Sequence, residues 1–228
     1  MTIDKRRNYY IVLDTEGQGD VTQNDTALIY DLGCAVIDKT GKVYETLNLV
    51  IYDTFVLESN LMQSAYYTKK FQQYHEELKD GTRTIVSIFQ ARRMLADLCE
   101  KYRVKAIMAH NARYDYCGLN DTLRYISKSK MRYFFPYGVE IWDTQKMAHD
   151  TICKQKTYIK WCAENGYMTK HAIPRPQEKA EVIYKYISGQ DDFIEEHTGL
   201  ADVMIEKEIF AKCMRQHKKM RKLLWKTE

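Results

Sequence analysis

The sequence predicts an α/β domain in which antiparallel and parallel strands share one sheet. Three observations carry that expectation. The first fifty residues hold three strand-like segments separated by loop and turn chemistry. An amphipathic helical pattern over residues 85–102 then runs directly into a short apolar segment, Lys105–Ala109. A strand that returns after a helix does so by a right-handed crossover, which sets it parallel to the first. With 228 residues and 45% hydrophobic content, the chain can bury the core of one large domain, or of one domain with an extension.

The elements follow in order. Tyr9-Tyr10-Ile11-Val12-Leu13 is an unbroken apolar run whose aromatic and β-branched residues favour a buried strand. Residues 18–27 are rich in Gly, Asp, Asn and Thr, lack periodicity and read as a loop. Leu28–Ile37 is the second strand, with Gly33 as a bulge or a point of close approach. Asp31 within it reads as a solvent-facing or cap-satisfying acid. Asp38-Lys39-Thr40-Gly41-Lys42 is hairpin chemistry leading to a third strand, Val43–Ile51. Residues 57–78 are helical but ragged, and Asp80-Gly81 breaks them. In 85–102, Ile85, Ile88, Phe89, Leu95, Leu98, Cys99 and Tyr102 recur at helical spacing and leave Arg92, Arg93 and Glu100 outside. Lys105–Ala109 is the fourth strand. Tyr116, Leu119, Leu123 and Ile126 form the stripe of the next helix, and Gly138–Trp142 is a fifth strand. Asp143 then caps a helix. A short helix over 157–165 is closed by Gly166, and another over 180–187 ends at Ser188-Gly189. The last long helix buries Val203, Ile205, Ile209, Phe210 and Cys213.

Composition narrows the function classes. Three prolines and ten glycines leave little room for a long flexible linker. A net charge of +4 and a pI near 8.6 are compatible with a polyanionic partner without demanding one. Some of the eighteen tyrosines could stack on bases. The six cysteines form no C-x-x-C pair and read as small buried hydrophobes in a reducing compartment. Cys153, Cys162 and His171 match no compact zinc spacing. The polar, basic N-terminus and the short apolar run after it fit neither a signal sequence nor a membrane span, so the expectation is a soluble cytoplasmic protein. Seven lysines or arginines between Lys212 and Glu228 make a basic helix end or an arm, either a solvated face or a phosphate contact.

Chemistry concentrates in three places. Asp14 and Glu16 sit two positions apart at the end of the first strand, so both side chains leave the same face. Two close carboxylates repel, and a divalent cation resolves the conflict. Hard oxygen ligands point to magnesium or manganese. A D-x-E pair alone is common by chance. Asp115 falls in the first turn of a helix that follows a parallel strand. It is either an acid favoured by the helix dipole or a third metal ligand at the sheet edge where α/β proteins bind ligands. His197 and Asp202 would lie about 140° apart on one regular helix. They reach a common site only if His197 precedes the helix, and Gly199 makes such a break plausible. Otherwise they are a surface histidine and a first-turn acid.

Together, Asp14-Thr15-Glu16, His110-Asn111-Ala112-Arg113-Tyr114-Asp115 and His197-x4-Asp202 resemble the DnaQ-like 3′–5′ exonucleases of the Asp-Glu-Asp-Asp-plus-histidine (DEDDh) subclass. Ile29-Tyr30-Asp31-Leu32-Gly33 and the hairpin after it also resemble that family's second and third strands. The chain departs from the pattern in placing Gly17 directly after Glu16, and in a longer segment over 151–190. The resemblance implies a ribonuclease H-like fold, a five-stranded mixed sheet flanked by helices, with an exonuclease domain over residues 1–215 and a basic tail over 216–228. It implies two divalent cations, Mg²⁺ or Mn²⁺, held by Asp14, Glu16, Asp115 and Asp202, with His197 as general base and Thr15 and Asn111 seating the terminal nucleotide. The implied partner is the 3′ end of single-stranded DNA, with RNA as the alternative, and some relatives work beside a DNA polymerase. A binding module of the same fold without turnover is the competing class.

Overall fold

Six strands pair in the computed structural model, which describes residues 3–19, 27–63 and 68–225. They are β1 (Tyr9–Gln18), β2 (Leu28–Asp38), β3 (Val43–Ile51), β4 (Thr84–Val86), β5 (Ala106–Ala109) and β6 (Glu140–Asp143), in the spatial order β4-β3-β2-β1-β5-β6. The first three form the expected antiparallel meander. β5 runs parallel to β1, as the crossover rule requires, and β6 runs parallel to β5. The loop expected over 18–27 lies mostly outside the described residues, as do 64–67 within the ragged helical stretch. Around the gap, that stretch resolves into α1 (Tyr52–Phe55), α2 (Ser59–Met62), a single 3₁₀ turn at Thr68–Lys70 and α3 (Phe71–Asp80), which ends at Gly81 with φ +80°.

The sheet has six strands, not five. The extra one, β4, occupies the start of the segment expected to be helical from Ile85. Ser87 caps α4 (Ile88–Tyr102): its hydroxyl accepts from the Gln90 N–H, and the Gln90 side chain accepts from the Ser87 N–H. That reciprocal pair is a capping box and starts the helix three residues late. The β-branched residues before it, Thr84, Ile85 and Val86, are free to pair with β3. The remaining helices are α5 (Arg113–Ser127), α6 (Thr144–Ala148), continued by one π-helical turn at His149–Cys153, α7 (Lys156–Glu164), α8 (Ala180–Ser188) and α9 (Gly199–Arg215).

Alternation along β1 divides the core in two. Tyr9, Ile11 and Leu13 pack with Leu95 of α4 and Leu119 of α5 on one face. Tyr10 and Val12 pack with Met147, Ile183, Ile209 and Phe210 on the other. Each fully buried side chain of this size contributes about 1.5–3 kcal/mol. The same alternation sends Asp14 and Glu16 toward α9 and Thr15 toward α5.

What seats α9 is a backbone contact. A Cβ on Gly33 would lie 2.1 Å from both the Gly199 carbonyl carbon and the Leu200 nitrogen. A Cβ on Gly199 would lie 2.5 Å from the Gly33 nitrogen and 2.9 Å from the Asp14 oxygen. Gly33 is thus a point of close approach rather than a bulge; the register of β1 and β2 shifts at Glu16/Gly17 instead. Asp31, two residues earlier, is not solvent-facing. It is fully buried and ion-paired with buried Arg83. Its Oδ2 accepts from the Tyr74 hydroxyl at 2.8 Å and from the Gly199 N–H at 2.9 Å, so it does cap a helix, the distant α9.

Beyond α9 the chain returns along the sheet edge. The Asp143 N–H donates to the Lys222 carbonyl at 2.7 Å, the Leu224 N–H donates to the Ile141 carbonyl at 2.9 Å, and Leu223 bridges Trp142. Arg221 pairs with Asp150 at 2.8 Å. Residues 222–224 therefore cover the open edge of β6; residues 226–228 lie outside the described part.

A Gly33→Ala substitution forces α9 away from the sheet. The expected cost is about 3 kcal/mol of unfolding free energy, at the upper end of overpacking penalties, measured by urea denaturation. A loss below about 0.5 kcal/mol would show that α9 does not depend on this contact.

Candidate active site

The carboxyl ends of β1 and β5 lie side by side, because the two strands are parallel neighbours. β1 delivers Asp14 opposite Gly33 and Glu16 opposite Asp31. Beyond β5 the chain turns through His110 and Asn111, with Asn111 in the left-handed region at φ +64°. Asparagine tolerates this conformation better than most residues. α5 then places Asp115 in its first turn. One carboxylate oxygen of Asp115 accepts the Thr15 hydroxyl at 2.8 Å. Thr15 is buried at 3% exposure, so its side chain serves Asp115 rather than the cleft.

His197 lies before α9 and not on it. Its φ is +55°, Thr198 is extended, and the helix begins at Gly199. The break that the spacing requires is therefore made at His197–Thr198, and Gly199 serves the contact with Gly33. The Asp202 carboxylate accepts the His197 N–H. Ligand atoms of Glu16, His197 and Asp202 all lie within 4.8 Å of one another. The fold thus brings these three together, with Asp14 beside them on β1 and Asp115 entering from the opposite face of the sheet.

Two acids complete the surroundings. Glu206 is buried at 2% exposure, and its Oε2 accepts the His110 N–H at 3.2 Å. It stands one helical turn after Asp202, on the same side of α9. Its signal in the sequence was an acid set between the apolar positions Val203, Ile205, Ile209 and Phe210. Glu195 Oε2 lies 3.8 Å from His197 Nδ1. The ring of His110 is held by the Thr144 hydroxyl at Nδ1 (3.2 Å) and by the Glu178 carbonyl at Nε2 (2.7 Å). Burial lowers the pKa of His110. The carbonyl can only accept, so Nε2 carries the proton.

Electrostatics set the chemistry. Burial pushes Asp14 well above the usual carboxylate range, and Glu206, Asp115, Asp202 and Glu16 raise it further. Burial, then Asp202, lifts Glu16 to about 9. Asp202 is pushed up to about 8 by burial and Glu195, and Asp115 to about 7 by burial, against the Thr15 hydroxyl that holds it down. Burial keeps His197 below the ordinary imidazole value, hence neutral at pH 7. Among the described residues no lysine or arginine forms an ion pair with Asp14, Glu16, Asp115, Asp202 or Glu206. Several crowded carboxylates beside one neutral imidazole, without a cationic side chain, fit divalent cations that prefer oxygen ligands.

The chain has the ribonuclease H-like fold, with six strands. Solved structures of 3′-exonucleases share it. The nuclease domain of 3′hExo, a DEDDh family member bound to rAMP, matches with a TM-score of 0.55 and 11% identity over 96% of this chain and 98% of that one. A 3′-exonuclease that recognises the 3′ end of the histone mRNA stem-loop matches at 0.56 and 13% over 97% and 69%. A full-length 3′-exonuclease matches at 0.60 and 14% over 95% and 85%. No protein-family model and no curated protein sequence matches the chain. Among the described residues no helix is long and apolar enough to cross a membrane.

The raised carboxyl pKa values have a thermodynamic consequence. An unfolded chain releases these protons near pH ~4, whereas Asp115, Asp202 and Glu16 keep them to about 7, 8 and 9. Between those limits the native state binds more protons, so stability is greatest at the acid end of the window and falls as pH rises. EDTA-treated protein should lose several degrees of melting temperature between pH 5 and pH 8, and millimolar Mg²⁺ or Mn²⁺ should restore them at pH 8. A melting temperature indifferent to both pH and metal would contradict the crowding of unpaired acids.

Proposed function

We propose that the protein is a metal-dependent 3′–5′ exonuclease of the DEDDh type, hydrolysing phosphodiester bonds from the 3′ end of single-stranded DNA and releasing nucleoside 5′-monophosphates. The observation that carries this reading is the convergence of Glu16, His197 and Asp202 within 4.8 Å, beside Asp14 and Asp115, at the carboxyl edge of the sheet. The shared fold with solved 3′-exonucleases supports it.

In this reading Asp14, Glu16, Asp115 and Asp202 hold two divalent cations, Mg²⁺ or Mn²⁺. Bound there, the ions would stabilise the negative charge that develops on the attacking and leaving oxygens of the phosphodiester. His197, neutral and 38% exposed at its side chain, accepts the proton of the attacking water. Glu195 beside it would stabilise the imidazolium that results. Thr15 orients Asp115 through its hydroxyl and meets the terminal nucleotide through its main chain, and exposed Asn111 offers an amide to the same nucleotide. The nuclease domain spans 1–215, followed by the 216–228 tail. Six free cysteines fit a reducing cytoplasm. In this reading the enzyme acts on a free 3′ end and needs no polymerase partner.

A second reading, an exoribonuclease, is favoured by the neighbours bound to rAMP and specific for a histone mRNA stem-loop. Discrimination between the sugars rests on the 2′-OH, a local contact. A binding module without turnover is disfavoured, because the sequence keeps all four acids and the histidine, which such modules usually lose in part.

Single-stranded DNA and RNA of one sequence, labelled at the 5′ end, should both be tested with Mg²⁺, Mn²⁺ and EDTA. The expected result is a metal-dependent ladder shortening from the 3′ end, faster on DNA; a faster RNA ladder would select the second reading. Asp14→Ala and Asp202→Ala should abolish hydrolysis. His197→Ala should lower kcat by about 10²–10⁴-fold with metal binding largely retained. Retention of labelled strands on a gel with no ladder from either would leave only the binding module.

A further inference from the structure

A groove of roughly 690 Å³ lies between α4, α5 and the 131–139 segment, outside the carboxylate site. Phe89 and Arg92 of α4, Tyr116 of α5, and Arg132, Tyr133 and Tyr137 of the segment are its informative walls. Among the described residues no acidic side chain lines it. Its apolar surface is open: Tyr137 is fully exposed, Tyr133 is 52% exposed and Met131 is 83% exposed. Isolated apolar residues at a surface need no explanation, but a grouped set of them beside cations does.

Two of the rings, Tyr133 and Phe89, are held by cations. The Arg124 guanidinium sits 4.9 Å from the Tyr133 ring centroid, and that of Arg132 sits 5.5 Å from Phe89. Arg92 Nε donates to the Tyr133 carbonyl at 2.8 Å. Each guanidinium keeps further N–H donors after these contacts. Along the segment, Lys128, Lys130 and Arg132 alternate with Met131 and Tyr133, so cations and flat apolar surface are interleaved. The inner end of the groove adjoins the cleft: Tyr116 follows Asp115 on α5 and stacks on Phe135 at 5.1 Å and 12°.

We propose that this groove is a second binding site, for single-stranded nucleic acid, which holds the strand away from its reacting 3′ end by stacking unpaired bases on Tyr133 and Tyr137 and placing phosphates at Arg92 and Arg132. Among the described residues Arg92 and Arg132 form no ion pair, and cations so placed select a polyanion. Exposed ring faces select bases that are not already stacked in a duplex. The choice of a strand that continues from the catalytic cleft rests on the exonuclease reading; binding to the groove does not, and can be measured without turnover.

The test is fluorescence anisotropy with 5′-labelled oligothymidylates of 4 and 20 nucleotides in EDTA, on the full chain and on the Tyr133→Ala/Tyr137→Ala and Arg132→Ala variants, with melting curves as the folding control. Removing the two rings is expected to weaken the 20-mer about tenfold or more, as loss of base stacking does, and to leave the 4-mer nearly unchanged. Arg132→Ala is expected to reduce the salt dependence of 20-mer binding by about one phosphate contact. Photocrosslinks from halogenated pyrimidines in the 20-mer should map to the 131–139 segment. Hydrolysis of a dinucleotide should be unaffected by either variant. Equal 20-mer affinity in wild type and both variants, or competition by duplex as effective as by single strand, would overturn the groove while leaving the exonuclease reading intact. Failure of the exonuclease would show separately, as normal groove-dependent binding without a ladder.

Discussion

Everything that converges at the sheet edge depends on how closely α9 approaches β2. Two glycines meet there backbone to backbone, and neither can carry a Cβ without a contact of 2.5 Å or less. Asp31 secures the same junction by accepting the first N–H of α9, while Arg83 and Tyr74 neutralise and orient it. A buried acid so paired is costly to leave uncompensated, which ties the small helices carrying Tyr74 and the β4 approach carrying Arg83 to the position of Asp202. The site thus rests on a chain of contacts that begins on the far side of the sheet from the tail.

The second organising constraint is repulsion. Glu16 and Asp202 share a small space with one imidazole, Asp14 and Asp115 stand near, and Glu206 adds charge from beneath. The protein tolerates this through main-chain N–H and hydroxyl donors and through helix dipoles. Asp115 and Asp202 each occupy the first turn of a long helix, where the dipole favours a carboxylate. The ordinary account of those two residues and the functional one are therefore compatible: a position that stabilises an acid structurally also aims it at the cleft.

Much of this was legible in the order of the residues. The meander, the parallel fourth strand, the Asp143 cap and the helices over 157–165 and 180–187 follow from local patterning, which depends on a few neighbouring side chains. Asp14, Glu16, Asp115, His197 and Asp202 could be named because each sits at a boundary between elements that patterning also marks. The extra strand, β4, was masked because Ile85 continued the helical stripe of α4, although Ser87-x-x-Gln90 already announced a later start. Asp31 read as a solvent-facing or capping acid and Glu206 went unremarked, because polarity in sequence does not report burial; their partners lie 52 and 96 residues away.

The sequence by itself determined the two faces of β1, the placement of the acids at element ends and the need for a break before Asp202. These are matters of periodicity and chain stereochemistry, which act over a few residues. Only the tertiary structure decided that Gly33 and Gly199 touch, that Asp31 holds α9, that Thr15 serves Asp115, and that the basic segment after Arg215 returns to cover β6. It also gathered Phe89, Tyr116 and Tyr133 around one groove. Such pairings join residues far apart in the chain, and their selection depends on the packing of the whole core, which no local pattern encodes.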